Sequence, residues 1–303
     1  PAKVAIVDTV GFAEAGLEYA SAAARQRHGL AMAGVIAAVR CPNGEAGCAG
    51  QQFHAQSFPY GPTSPQVLPG GGPLASMASL AYAIGEATVR WRQGEMRTSP
   101  LVVNLSLGWD PRYGEALTAA GQEATHTDLL ATPSAAVPAN VQAVHAAMVY
   151  ATCLDALSIA AAGNNAGAAC EQTGLMAPAS WERYPAPDRA RCEALFTAVA
   201  LPVWRAGDPA VAATTRSLVY AAGGVDSGDR PIPNARPGGT PPRVLAAMQA
   251  VVGSGARQTE PWTGTSIAAA SLSALAAQVW SHDRGLTPHQ VIALIDQSGV
   301  ATD

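Results

Sequence analysis

Short, nearly unbroken apolar runs recur along the chain with longer Ala-rich amphipathic stretches between them, and this alternation constrains the fold more than anything else in the sequence. A strand that is apolar on both faces has to be covered on both faces, which parallel strands joined by crossover helices achieve. Strand candidates are Lys3–Val7, Gln52–Phe58, Leu101–Leu105, Leu157–Ala162, a stretch within Ala194–Val203, and Leu218–Ala222. Helix candidates are His28–Val39, Leu74–Gln93, Val141–Leu154, Ser266–Ser281 and Pro288–Gln297. Two of them carry legible start signals. Thr287-Pro288 reads as an N-cap followed by Pro at the first helical position, and Gly264-Thr265-Ser266 as a turn opening a long apolar helix. The expected fold is α/β in three layers, a mainly parallel central sheet with helices on both faces.

Composition narrows the functional classes. With 303 residues, 49% of them hydrophobic and 13% charged, the chain has the means to bury a large core and none of the signature of disorder. No composition shift or internal repeat marks a linker, so a single domain over residues 1–303 is expected, with the long segments 60–73, 110–140, 163–188 and 230–242 as loops around a cleft. A formal net charge of −4 provides no broad positive field, which argues against nucleic acid as the main partner. The longest apolar candidate, Ile267–Trp280, is interrupted by Ser271, Ser273 and Gln278 and is too short to span a bilayer. No targeting segment is read ahead of the first apolar run, Val4–Val7.

Cys41 and Cys48 bracket a Pro-Asn-Gly turn, and Cys170 and Cys192 bracket a polar loop. Two disulfides and one buried thiol are one reading, and five thiols in a reducing compartment the other. The cysteines lack the close pairs and His partners of a zinc site. The acidic residues are dispersed, and neither a metal nor a cofactor is expected.

Open parallel sheets place chemistry beyond the C-terminal ends of their strands. Asp8 follows the first strand, Asn104-Leu105-Ser106-Leu107-Gly108 closes the third, and Gly163-Asn164 follows the fourth. His28-Gly29 opens the first helix and Ser266 the long one. Each has a plain structural use: Asp8 as a turn residue, His28 as a core or surface imidazole, Asn164 as a turn residue, Ser266 as an N-cap. Together they supply an acid, an imidazole, an amide and a hydroxyl, the set that acyl transfer requires. Serine needs a base to take its proton, the base an acid to hold its tautomer, and the oxyanion fixed donors.

The stretches Val4–Thr9, His28–Ala37, Val103–Gly108, Ala161–Asn164 and Gly264–Ala269 resemble, in order, the signature blocks of the subtilisin-like serine proteases. Weaker echoes at Cys48–Phe58, Glu182–Ala186 and Gly224–Ser227 extend the resemblance from residue 3 to about residue 298. It implies a serine endopeptidase in which Ser266 is the nucleophile, His28 the general base and then acid, Asp8 the group that orients the imidazole, and Asn164 an oxyanion donor beside the Ser266 N–H. Ser106, Leu107 and Gly108 would pair with a polypeptide substrate as an added strand. Ala161, Ala162 and Gly163 would form the opposite wall of the first specificity pocket, whose floor falls within residues 163–180. Trp109 is a pocket candidate or an ordinary packing aromatic. The resemblance further implies an extracytoplasmic protein whose prosegment has been removed.

The chain departs from the family pattern at Val10, Leu30 and Ala269-Ala270-Ser271, and Asp8 stands close to His28 in sequence. None of these positions supplies a proton or an oxyanion donor. They leave a catalytically weak or inactive peptide-binding relative as the alternative. The sedolisin group, which uses Glu as base and Asp as oxyanion donor, is disfavoured by His28 and Asn164.

Overall fold

The first strand, β1 (Lys3–Asp8), is buried along its whole length and lies inside the sheet, with a paired strand on either side, rather than at its edge. This follows from its composition, since Val4-Ala5-Ile6-Val7 offers apolar side chains to both faces. The computed structural model describes residues 1–8, 28–39, 51–56, 77–94, 99–109, 139–164, 175–198, 216–226, 230, 244–246, 250–251, 261–262 and 264–299. Among them, α1 (His28–Ala38) leads from β1 to β2 (Gln51–Gln56), and α2 (Met77–Gly94) leads back across β1 to β3 (Leu101–Leu105). Then follow α3 (Ala139–Cys153), β4 (Leu157–Ala161), a 3₁₀ turn at Ala179–Arg183, α4 (Arg189–Ala198) and β5 (Tyr220–Val225). The chain continues through β6 (Val244–Ala246) and a small hairpin of β7 (Ala250–Val251) and β8 (Pro261–Trp262) to α5 (Thr265–His282) and α6 (Pro288–Ser298).

The main sheet has six parallel strands in the order β2-β1-β3-β4-β5-β6. The chain moves outward from β1 to β2 and then returns past β1 to β3. Right-handed crossovers in opposite directions put their helices on opposite faces, and the packing shows that outcome. Val4, Ile6 and Val102 pack with α1, α5 and α6 on one face, while Ala5, Val7, Leu101, Val103 and Leu105 pack with α2, α3 and α4 on the other. The three-layer expectation is met. On α5, Ala268, Ala269, Ala270, Ala276 and Ala277 are all fully buried, so small side chains let this helix lie close on the sheet. The end signal read at α6 is a full capping box: Thr287 accepts from the Gln290 N–H at 3.3 Å and its own N–H donates to the Gln290 side chain at 2.8 Å.

Two expectations are corrected. The segment starting at Ala194, read as a strand, is the last half of α4 as far as Ala198, and its continuation to Val203 lies outside the described residues. The run Ala194-Leu195-Phe196 is apolar enough for either structure. Helix is favoured by local support: Asp188 accepts from the Arg191 N–H at 2.7 Å, Arg189 pairs with Glu193 one turn on at 3.0 Å, and Phe196 turns inward. The pairing of Cys170 with Cys192 is also excluded, because Cys192 is bonded to Cys153. Cys41, Cys48 and Cys170 lie outside the described residues.

The Cys153–Cys192 bridge, fully buried, ties the end of α3 to α4 across a separation of 39 residues. Just beyond it Asp155 adopts φ 63°, with the Ala156 N–H bonded to the Ala151 carbonyl and the Asp155 N–H to the Thr152 carbonyl. This is a Schellman cap with Asp in the place usually held by Gly. Its carboxylate is held by Arg216, which also donates to the Thr152 carbonyl and so fastens α3 to the approach of β5. Closing a loop of this length removes about 4 kcal/mol of denatured-state entropy on the chain-entropy model. Replacing Cys153 and Cys192 together by Ala is expected to lower the urea midpoint by up to that equivalent, measured by far-UV circular dichroism.

Candidate active site

At the C-terminal end of β1, Asp8 faces the first residue of α1. The His28 Nδ1 lies 2.8 and 2.9 Å from the two Asp8 carboxylate oxygens, and both residues are buried. A carboxylate at Nδ1 takes the ring proton there and leaves Nε2 as the basic nitrogen. Burial alone would lower the imidazole pKa. The opposing charge of Asp8 and its hydrogen bond outweigh that penalty, so His28 titrates above its ordinary range.

The second part of the site is built where α5 begins. Gly264 is its N-cap, at φ 143°, and a Cβ there would stand 2.9 Å from the Asn164 Nδ2. Gly is required on both counts: the backbone conformation is costly for an L side chain, and the Asn164 amide occupies the space. The next residue, Thr265, fixes that amide. Its N–H and hydroxyl lie 3.0 and 3.2 Å from the Asn164 Oδ1, and its hydroxyl accepts from the Gly163 N–H at 3.0 Å. With Oδ1 engaged, the Nδ2 donors are the part of the amide left to meet a ligand. Ser266 follows, in the first turn of α5, where backbone N–H groups have no intrahelical acceptor and the helix dipole favours negative charge.

Ser266 is joined to the end of β3 by a reciprocal pair. Its hydroxyl donates to the Ser106 carbonyl at 3.1 Å, and the Ser106 hydroxyl lies 3.0 Å from the Ser266 carbonyl and 3.0 Å from the Asn104 Oδ1. Asn104, fully buried on the face covered by α5, donates to Ser273 one helical segment further on at 3.0 Å. A polar seam thus runs between β3 and α5 through an otherwise apolar interface. Buried polar groups of this kind are tolerated when each finds a partner.

The structure brings Asp8 to His28, Asn164 to the residue before Ser266, and Ser106 to Ser266 itself. Leu107 and Gly108 continue from Ser106 and are half-buried, as an open strand would be. Ala161, Ala162 and Gly163 are all buried. Trp109 is a packing residue: it is buried, pairs with Ala177 through two backbone hydrogen bonds of 2.8 and 3.0 Å, and stands edge-on to Trp181 at 5.7 Å. Thr265 and Asn104 stand inside blocks that the sequence points to, but the sequence gives neither a role of its own. Thr265 borders Ser266, but only the fold brings it to Asn164, 101 positions earlier.

These groups stand at one edge of one sheet, beyond the C-terminal ends of its strands. The model of the subtilase peptidase family matches residues 8–301, and the chain belongs to that family. Among solved structures it is similar to the prenylagaramide maturation protease PagA, at 18% identity and a TM-score of 0.55, with 100% of this chain and 85% of that one covered. The patellamide maturation protease PatA aligns at 20% identity and 0.55, covering 100% and 88%. MycP1 from Mycobacterium smegmatis aligns at 17% and 0.55, covering 99% and 74%. No curated protein matches the chain in sequence. At such identities these structures support the shared fold.

The polar seam has a testable energy. Asn104→Leu is expected to leave the Ser273 hydroxyl buried without its amide partner, the Ser106 hydroxyl keeping the Ser266 carbonyl, and to destabilise the protein by about 1–3 kcal/mol, the cost of one stranded group. Thermal unfolding of the variant measures it.

Proposed function

We propose that the chain is a single-domain serine endopeptidase. The observation that carries this reading is the buried Asp8–His28 pair at 2.8–2.9 Å, at the same edge of the sheet as the Ser266 hydroxyl and the anchored Asn164 amide. In the proposed mechanism a polypeptide lies extended along Ser106–Gly108, opposite Ala161–Gly163. The Ser266 proton turns from the Ser106 carbonyl to His28 as Oγ attacks the scissile carbonyl. Asp8 holds the imidazolium that forms. The Asn164 Nδ2 and the Ser266 N–H receive the oxyanion, and His28 returns its proton to the leaving amine. Water then releases the acyl group by the same steps in reverse.

The Cys153–Cys192 bridge supports an extracytoplasmic setting, since disulfides persist in oxidising compartments. Among the described residues no helix is long and apolar enough to cross a membrane. One observation favours the second reading, a weak or inactive peptide-binding relative: the Ser266 hydroxyl gives its proton to Ser106. Labelling separates the two. A fluorophosphonate probe is expected to modify the wild-type chain at Ser266 and to leave Ser266→Ala unmodified, whereas a folded wild type that stays unlabelled would refute the protease. Asn164→Ala is expected to cut kcat by about 10²–10³, the size of loss that subtilisin itself shows when its oxyanion amide is removed.

The pH dependence follows from the pair. Protonated His28 cannot accept the Ser266 proton, so kcat/KM is expected to fall on acidification with a midpoint above about 6.5, the ordinary imidazole value. Stability runs the other way. A pKa raised by folding contributes stability that is fully present below the unfolded value and is lost as pH rises through the folded one. In Asp8→Asn, where burial acts unopposed, the His28 pKa is expected to drop below 6.5, measured by NMR titration of the ring.

A further inference from the structure

The segment preceding the 3₁₀ turn is bonded both to the stretch that follows β3 and to the stretch that follows β4. Met176 donates its N–H to the Ala162 carbonyl at 2.9 Å, and the adjacent Ala177 is paired with Trp109 through two hydrogen bonds. Met176 is thereby held to both sides at once, one residue from the partner of Trp109, which follows Gly108, and directly beside the stretch that contains Gly163. Its side chain uses that position. A Cβ added to Gly163 would stand 2.4 Å from the Met176 Cγ and 2.5 Å from its Sδ, and one added to Gly108 would stand 3.1 Å from the Met176 Cβ. The thioether therefore lies against the bare face of Gly163, and its stem against Gly108. Met176 is partly exposed, unlike the residues from Ala177 to Glu182 that follow it into the core.

We propose that Met176 is a specificity-determining residue: it forms the floor between the two walls and makes the first specificity pocket shallow. The substrates it selects carry a small side chain, Ala, Ser or Gly, immediately before the scissile bond. This rests on the proposed endopeptidase reading. The physical basis is volume. The two glycines bare their α-carbons toward one space, and an unbranched four-atom side chain already takes the part of it beside Gly163. A large substrate side chain entering there has to displace the thioether or stop short, and stopping short lifts the scissile carbonyl away from the Asn164 amide and the Ser266 N–H. The penalty falls on the transition state as well as on binding, so it is read in kcat/KM. Methionine is flexible, and the floor it makes yields gradually rather than excluding every larger residue.

The test compares two otherwise identical peptide substrates with Ala or Phe before the scissile bond, on the wild type and on Met176→Gly and Met176→Ala. The readout is the ratio of kcat/KM for Phe to that for Ala on the same protein, so that a general loss of folding or activity cancels. The wild type is expected to prefer Ala by at least tenfold. Both substitutions are expected to raise the Phe-to-Ala ratio by tenfold or more, Gly more than Ala, a size in keeping with a few methylenes of pocket volume. A wild type that prefers Phe, or a ratio that stays within twofold in both variants, would overturn the assignment of Met176. A wild type that cleaves neither peptide and resists the fluorophosphonate would instead overturn the endopeptidase reading on which it rests.

Discussion

Everything at the candidate site depends on how α5 is seated. This helix crosses the face of the sheet over β1, β3, β4 and β5, with α1 at its side, and its buried alanines allow an approach that larger side chains would forbid. Alanine gives little directional preference, however, and a smooth helix on a smooth sheet can slide. The hydrogen bonds from Asn104 to Ser273 and between Ser106 and Ser266 supply the missing register. They join two points along the helix to a single strand, so that the first turn stands at the sheet's C-terminal edge. From that placement follow the position of Gly264 against Asn164 and the bonds from Thr265 that turn the amide.

The Asp8–His28 pair shows a second balance, between burial and charge. An imidazole shut away from water resists protonation, while a carboxylate at hydrogen-bond distance invites it, and the second effect prevails here. The same contact serves orientation, because a ring held by both carboxylate oxygens has little freedom to turn. The pair can be strong because β1 is interior to the sheet: Asp8 emerges from a strand buried on both faces, and His28 is the first residue of the helix that covers one of them.

Much of this is legible in the sequence alone, and the reason is local. β1, β3, β4, α1, α5 and α6 announce themselves through apolar runs and end signals of a few residues. Asp8, His28, Asn164 and Ser266 sit at the ends of those elements in a recognisable order. What was not legible depends on distance in space. The apolar run at Ala194 fits strand or helix, and its outcome is settled by Asp188, by Glu193 and by a cysteine partner 39 residues away. Cysteine spacing suggested neighbours along the chain, whereas Cys192 found Cys153 across two helices. Thr265 and Met176 look like ordinary residues in sequence, and each matters through an asparagine or a pair of glycines that only folding brings near.

The order of the strands also has a consequence in time. Asp8 is made before the other groups of the candidate site and joins the interior of the sheet, while Ser266 comes on a helix whose anchoring partner, Ser106, was made 160 residues earlier. The first strand can acquire its neighbours progressively, but the face covered by α5 stays open until that helix has been made. Contacts so far apart along the chain are slow to form and leave apolar surface exposed in the interval. Ser266 is therefore the last of these groups to arrive, and a nascent chain holds Asp8 and His28 without it until α5 has been made.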